Sequence, residues 1–71
     1  MEKNYFTFGV GHKHCGYYVL IEGESSKARE KMFELFRRKW SFQYNEECWV
    51  NAEGQTQAEK YRYKLLKHII L

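Results

Sequence analysis

The sequence predicts a small α+β domain, a three-stranded sheet in ββαβα order with its helices packed on one face. Three observations carry that reading. Apolar residues recur with period two on both sides of a glycine-bounded loop, the period changes to 3.6 after Gly23, and a capping-box sequence opens a second helical pattern near the C-terminus. A chain of 71 residues leaves room for one domain, spanning 1–71.

The first strand is expected over Asn4–Val10, with Phe6, Phe8 and Val10 on one face and Tyr5, Thr7 and Gly9 on the other. Tyr17–Glu22 reads as its antiparallel partner, with Tyr17, Val19 and Ile21 facing opposite to Tyr18 and Leu20. The connection between them, Gly11–Gly16, suits a wide hairpin loop rather than a two-residue turn. Ser25 or Ser26 is expected to N-cap a helix by accepting from a free first-turn amide. Its apolar side gathers Ala28, Met32, Phe33, Leu35, Phe36 and Trp40, and Arg37, Arg38 and Lys39 fill its last turn, where cations complement the helix dipole.

Trp40–Tyr44 alternates aromatic with polar residues and reads as a third strand with its aromatic face on the core. Strand two, helix and strand three then form a crossover unit, expected to be right-handed. Cys48-Trp49-Val50 is a short apolar patch ended by Gly54. Thr56-Gln57-Ala58-Glu59 matches a capping box, and Ala58, Tyr61, Leu65, Leu66, Ile69 and Ile70 give the following helix its apolar side.

A chain this short buries only about 60% of its unfolded surface. Its 5 Phe, 6 Tyr and 2 Trp offset that, because each aromatic can bury roughly 150–250 Å². A homodimer sharing some of this surface fits the composition as well as a monomer does. The net charge of +3 is modest for a dedicated DNA binder. It is uneven, though: between Ser25 and Asn45 six cations (Lys27, Arg29, Lys31, Arg37, Arg38, Lys39) stand against two anions (Glu30, Glu34). That surplus permits an anionic partner such as a nucleotide, nucleic acid or acidic protein. Met1–Asn4 is polar, and no apolar run approaches the ~20 residues that span a bilayer. A cytoplasmic protein with Cys15 and Cys48 reduced and no membrane partner is the expectation.

The loop Gly11-His12-Lys13-His14-Cys15-Gly16 is the most informative stretch. A sheet that holds it out toward solvent offers two imidazoles, one cation and several glycine-freed amides to a guest. Lys13 and those amides suit a phosphate or ribose. A zinc set of His12, His14 and Cys15 is the metal alternative, although CxxC and HxxxH spacings are absent and no cofactor is expected. The plainest reading is a solvated turn.

Arg29 falls inside the apolar side of the first helical pattern, and Arg62 inside that of the second. An unpaired buried guanidinium is too unfavourable for so small a fold, so each must snorkel, meet a carboxylate or bind an anion. Lys27, Lys31 and Arg38 crowd the outer side of the first helix, either as an ordinary solvated face or as a nucleic-acid contact. Neither a Ser–His–acid nor a Cys–His–Asn arrangement can be read from the spacing, and the chain is not expected to be an enzyme.

Tyr5-Phe6-Thr7-Phe8-Gly9 leading into Gly11-His12-Lys13-His14, with Gly16-Tyr17, Ile21-Glu22-Gly23, Ala28-Arg29-Glu30-Lys31-Met32-Phe33 and Lys39-Trp40-Ser41-Phe42-Gln43-Tyr44, resembles a group of small phage and prophage proteins. The likeness covers residues 5–44. Members of that group often carry a glycine within the Arg37-Arg38 position, where this chain is basic.

The resemblance implies a setting, a mobile genetic element in a Gram-positive-type bacterium, and action by binding in the host cytoplasm. The expected partner is a host defence protein, blocked as anti-CRISPR proteins block theirs, or a nucleotide signal molecule. The contact surface is expected at His12, Lys13, His14, Tyr17, Arg29, Lys39, Trp40, Gln43 and Tyr44. An accessory nucleic-acid-binding phage protein using Lys27, Lys31 and Arg38 is the alternative, and a zinc-stabilised structural protein the third reading.

Overall fold

The structure is a computed structural model that describes residues 2–71. Its elements run β1 (Lys3–Thr7), β2 (Tyr17–Glu22), α1 (Ser25–Phe36), β3 (Phe42–Asn45), α2 (Glu46–Trp49), α3 (Gln57–Tyr61) and β4 (Lys64–Ile70). They build a slab of 33 × 31 × 15 Å around one mixed four-stranded sheet, ordered β3-β1-β2-β4. β1 is antiparallel to β2 and to β3, while β4 lies parallel to β2. Because β2 and β3 both oppose β1, they run in one direction, and the β2–α1–β3 crossover passes over the strand between them.

The α+β class stands, but the sheet has a fourth strand where the apolar spacing predicts a long C-terminal helix. The capping box does form: Glu59 N–H donates to Thr56 Oγ1 at 3.1 Å, and Thr56 N–H to Glu59 Oε1 at 3.4 Å. That helix then stops at Tyr61, and Arg62 takes the left-handed conformation (φ 58°, ψ 40°) that closes it. Arg62 is exposed there, so the apolar surroundings expected for it do not arise.

The helical look of the tail has a β explanation. Register slips between Tyr18 and Val19, which pair with Leu65 and Lys67 and leave Leu66 as the extra residue of a bulge. The bulge rephases the strand, so Leu66 and Ile69, three apart, both pack against the core.

α1 covers one face of the sheet. Phe6, Phe8, Val19, Ile21, Ala28 and Met32 form the buried core there, with Phe36, Trp40, Leu66 and Ile69 packed around them. The opposite face is not bare, contrary to a fold with all helices on one side. Trp49, 2% exposed, sits among four tyrosines: it stacks on Tyr5 (4.6 Å between centroids) and lies 5.2 Å from Tyr18, 5.4 Å from Tyr44 and 6.3 Å from Tyr63. Alternation in β1 makes this arrangement inevitable, because Phe6 and Tyr5 must face opposite ways. Burial pushes the Tyr5 and Tyr63 phenols above their usual range.

Four local expectations need correction. β1 ends at Thr7, and Val10 is 99% exposed in the following turn rather than on the core face. α1 ends at Phe36, so Arg37, Arg38 and Lys39 lie beyond it and none stands in its last turn. Neither Ser25 nor Ser26 caps it: Glu24 occupies the cap position without a side-chain bond, and Ser25 N–H instead donates to the Glu2 carboxylate at 3.1 Å. That anion also complements the positive end of the helix dipole. Finally, β3 does not turn an aromatic face to the core. Gln43 faces α1, while Tyr44 joins the Trp49 cluster and Phe42 is 63% exposed.

Candidate functional site

The turn Arg37–Trp40, which links α1 to β3, separates two clefts. The larger, of about 960 Å³, runs along β3 between that strand and α1. This lies at the upper end of the size range of small-ligand sites. Arg29 on α1 and Gln43 on β3 define its floor. The guanidinium lies 5.6 Å from the Phe33 ring centroid and 5.1 Å from that of Trp40, and donates to Gln43 Oε1 at 3.3 Å. Gln43 Nε2 donates to Ser25 O (3.2 Å) and weakly to Asn4 Oδ1 (3.5 Å). Asn4, 2% exposed, anchors the arrangement by donating to Ile21 O at 3.1 Å and Gly23 O at 3.0 Å.

Arg29 therefore snorkels along aromatic rings, as its place on an apolar stripe requires. It has no carboxylate: among the described residues the carboxylates in contact with basic side chains are Glu34, paired with Lys31 (3.1 Å), and Glu22, hydrogen-bonded with His68 (2.6 Å). Ser25, Arg38, Ser41, Phe42 and Asn45 complete the lining, to which no acidic side chain among the described residues contributes. Trp40 Nε1 is buried without a hydrogen-bond partner among the described residues. A buried donor left unpaired is unfavourable by about 1–3 kcal/mol.

The second cleft, of about 280 Å³, lies at the other side of the turn and is lined by His12, Lys13, His14, Leu35, Phe36, Arg37 and Lys39. Gly11 and Gly16, both at φ 92°, let the chain double back twice between the strands. The imidazoles are half-buried rather than held out: His12 stacks on Phe8 (5.0 Å), and His14 meets Phe8 and Phe36 edge-on at 5.3 and 5.8 Å.

Of the loop amides expected to greet an anion, those of His12, His14 and Cys15 are engaged, while those of Gly11, Lys13 and Gly16 make no hydrogen bond among the described residues. His12 N–H donates to Gly9 O, Cys15 N–H to His12 O, Tyr17 N–H to His14 O, and His14 N–H to His12 Nδ1 at 3.0 Å. That last bond places the proton of neutral His12 on Nε2. Burial, then His14 and the Lys13 and Lys39 ammonium groups, hold His12 below the ordinary imidazole range. His12, His14 and Cys15 do not assemble a metal centre, for no group of three or more potential ligands gathers among the described residues.

The residues expected to act together are thus divided. Arg29, Trp40 and Gln43 share the large cleft with Arg38; His12, Lys13, His14 and Lys39 share the small one. Tyr17 is exposed on β2, and Tyr44 belongs to the Trp49 cluster. Lys27 is exposed on α1, Lys31 pairs with Glu34, and Arg38 lines the large cleft beyond the helix.

Sequence reasoning passes over Asn4, Phe33, Phe42, Asn45 and Arg37. Arg37 is marked by its backbone: its φ of 57° and ψ of −127° form a conformation that side-chain-bearing residues rarely adopt.

No helix among the described residues is long and apolar enough to cross a membrane. Comparison of the chain with protein-family models, with curated proteins and with solved structures gives no match.

Proposed function

We propose that this protein is a binding protein that sequesters a nucleotide-type ligand in the cleft between α1 and β3, in the phage-type setting that its sequence resemblance implies. The observation that carries the reading is the company Arg29 keeps. Its guanidinium has no carboxylate, borders two aromatic rings and shares a cleft with Arg38. Two cations without counter-charges match phosphate, and the exposed rings of Phe33 (40%) and Phe42 (63%) suit a base's π-face.

Electrostatics also supplies a direction. The next cleft along shares Asn4, Ser25 and Asn45 with this one and adds three carboxylates, Glu2, Glu46 and Glu47, against one cation, Lys3. The phosphate end belongs at Arg38, and the base with its amino groups at Asn45. No nucleophile–base pair occupies the cleft, so capture rather than turnover is the chemistry it supports.

Thermal unfolding with a panel of nucleotides tests this. A ligand at a hundredfold excess over its Kd adds about 2.7 kcal/mol, on the order of 10 °C for a chain of this size. Arg29→Ala should abolish the shift. An equal shift from inorganic phosphate at matched ionic strength, or none from any nucleotide at millimolar concentration, overturns the proposal.

A further inference from the structure

The two clefts lie back to back on one turn, and consecutive residues alternate between them. Arg37 and Lys39 line the small cleft, Arg38 and Trp40 the large one. Successive Cα atoms stand only 3.8 Å apart, so cations serving both clefts are one residue from each other. Neither lining contains a carboxylate, and neither Arg37 nor Lys39 has an ion-pair partner among the described residues. The loop across the small cleft adds Lys13 and the two imidazoles.

Arg37 carries a second mark. A residue with a Cβ held at φ 57°, ψ −127° is strained. Glycine would relieve that strain while still letting the Arg37 amide donate to Phe33 O, the bond that closes α1. The arginine is therefore not explained by folding. What it provides is a guanidinium at the lip of the small cleft.

We infer that the small cleft is a second phosphate subsite, with Arg37 and Lys39 as its principal cations, and that the ligand is phosphodiester-linked, two nucleotides or longer. The inference rests on the nucleotide reading of the large cleft and extends it in one direction only. At the Asn45 end, Glu2, Glu46 and Glu47 outnumber Lys3 and disfavour a continuing phosphate chain, whereas at the Arg38 end Arg37 and Lys39 receive it. Arg37, Lys39 and Lys13 bring the positive charge to this subsite, so binding there weakens with added salt.

The test compares adenosine monophosphate, the 5′-phosphorylated dinucleotide pApA and a ten-nucleotide oligo(dA) by titration calorimetry at constant ionic strength. The dinucleotide should bind about tenfold tighter than the mononucleotide, the effect of one added charge-assisted contact. Arg37→Gly should remove that gain, leave mononucleotide affinity unchanged and raise the melting temperature, a combination that loss of fold cannot produce. Lys39→Ala should repeat the affinity pattern. A ten-nucleotide strand no tighter than pApA identifies a short ligand, and further gain identifies a nucleic-acid strand; either supports the subsite. Equal affinity for one and two nucleotides in the wild type, or an Arg37→Gly variant that weakens both alike or neither, overturns the subsite while the large cleft stands. Failure of every probe to bind overturns both readings.

Discussion

Replacing Asn4 by Asp tests whether the site is tied into the fold in the way the hydrogen bonds indicate. Asn4 is 2% exposed, and both protons of its amide are committed, to Ile21 O at 3.1 Å and Gly23 O at 3.0 Å. Asp is nearly isosteric but brings an oxygen where the donor stood, so a carboxylate would face two carbonyl oxygens. Two hydrogen bonds worth about 0.5–1.5 kcal/mol each disappear, and an unpaired charge is buried, which alone is destabilising by several kcal/mol. The combined loss is about 3–5 kcal/mol, against a total stability of about 4–10 kcal/mol expected at this length.

The sign with pH follows from the same geometry. Desolvation and the two carbonyls raise the carboxyl's pKa in the folded state above its unfolded value of about 3.9. The folded form then binds the extra proton, and the variant recovers relative to the wild type as pH falls, by up to about 1.4 kcal/mol per unit. Urea unfolding of both proteins, followed by far-UV circular dichroism at about pH 7.5 and about pH 5, reads both effects. A loss under about 1 kcal/mol at the higher pH, or a gap that fails to narrow at the lower, would refute the reasoning.

Trp49→Ala should remove about 3–5 kcal/mol, because the ring is 2% exposed and meets four tyrosines; a urea midpoint close to wild type would mean that the far face of the sheet holds no second apolar layer. His12 has its pKa lowered in the folded state, so its contribution is complete above the unfolded value of about 6.5 and is lost as pH falls through that value toward the folded pKa. The stability difference between wild type and His12→Gln should therefore move in the wild type's favour from about pH 5 to about pH 7.5, and a flat or opposite trend in denaturation curves contradicts the placement of the ring. Arg62→Gly should preserve or raise the melting temperature by easing the positive φ of 58°; a fall in melting temperature would show that the arginine makes contacts that outweigh the strain.

The parts of this fold legible in the sequence are those in which one local period coincides with one burial pattern. β2 is such a case, with Val19 and Ile21 buried and Tyr18 turned to the other face. The α1 stripe through Ala28 and Met32 is another. The tail misleads because a bulge gives Leu66 and Ile69 a helical spacing inside a strand, and periodicity cannot distinguish those cases without knowledge of the partner strand.

Trp40, Phe42 and Tyr44 mislead for a related reason. They alternate as one strand face should, but β3 begins only at Phe42, so Trp40 takes the α1 side of the sheet while Tyr44 takes the other. At the site, Arg29 stood out because a cation on an apolar stripe is a local anomaly. Asn4 gave no such anomaly, since its role depends on carbonyls 17 and 19 residues away.

Exposed apolar surface alone does not single out the α1–β3 cleft. Leu65 and Ile70 on the outer strand β4 are 49% and 65% exposed, comparable with Phe33 and Phe42. The two regions differ in what surrounds those side chains. On β4 the nearby charges suit an edge strand facing water: Lys64 and Lys67 are exposed, the kind of charge that keeps an open edge from recruiting another strand, and His68 shares a 2.6 Å hydrogen bond with Glu22. At the cleft, aromatic exposure coincides with two arginines lacking carboxylates and with a buried indole donor lacking an acceptor. Exposed aromatic rings lower stability in a domain with a narrow margin, and an anionic aromatic guest would cover them while meeting the two arginines. The proposed ligand is therefore assigned to the α1–β3 cleft rather than to the β4 edge.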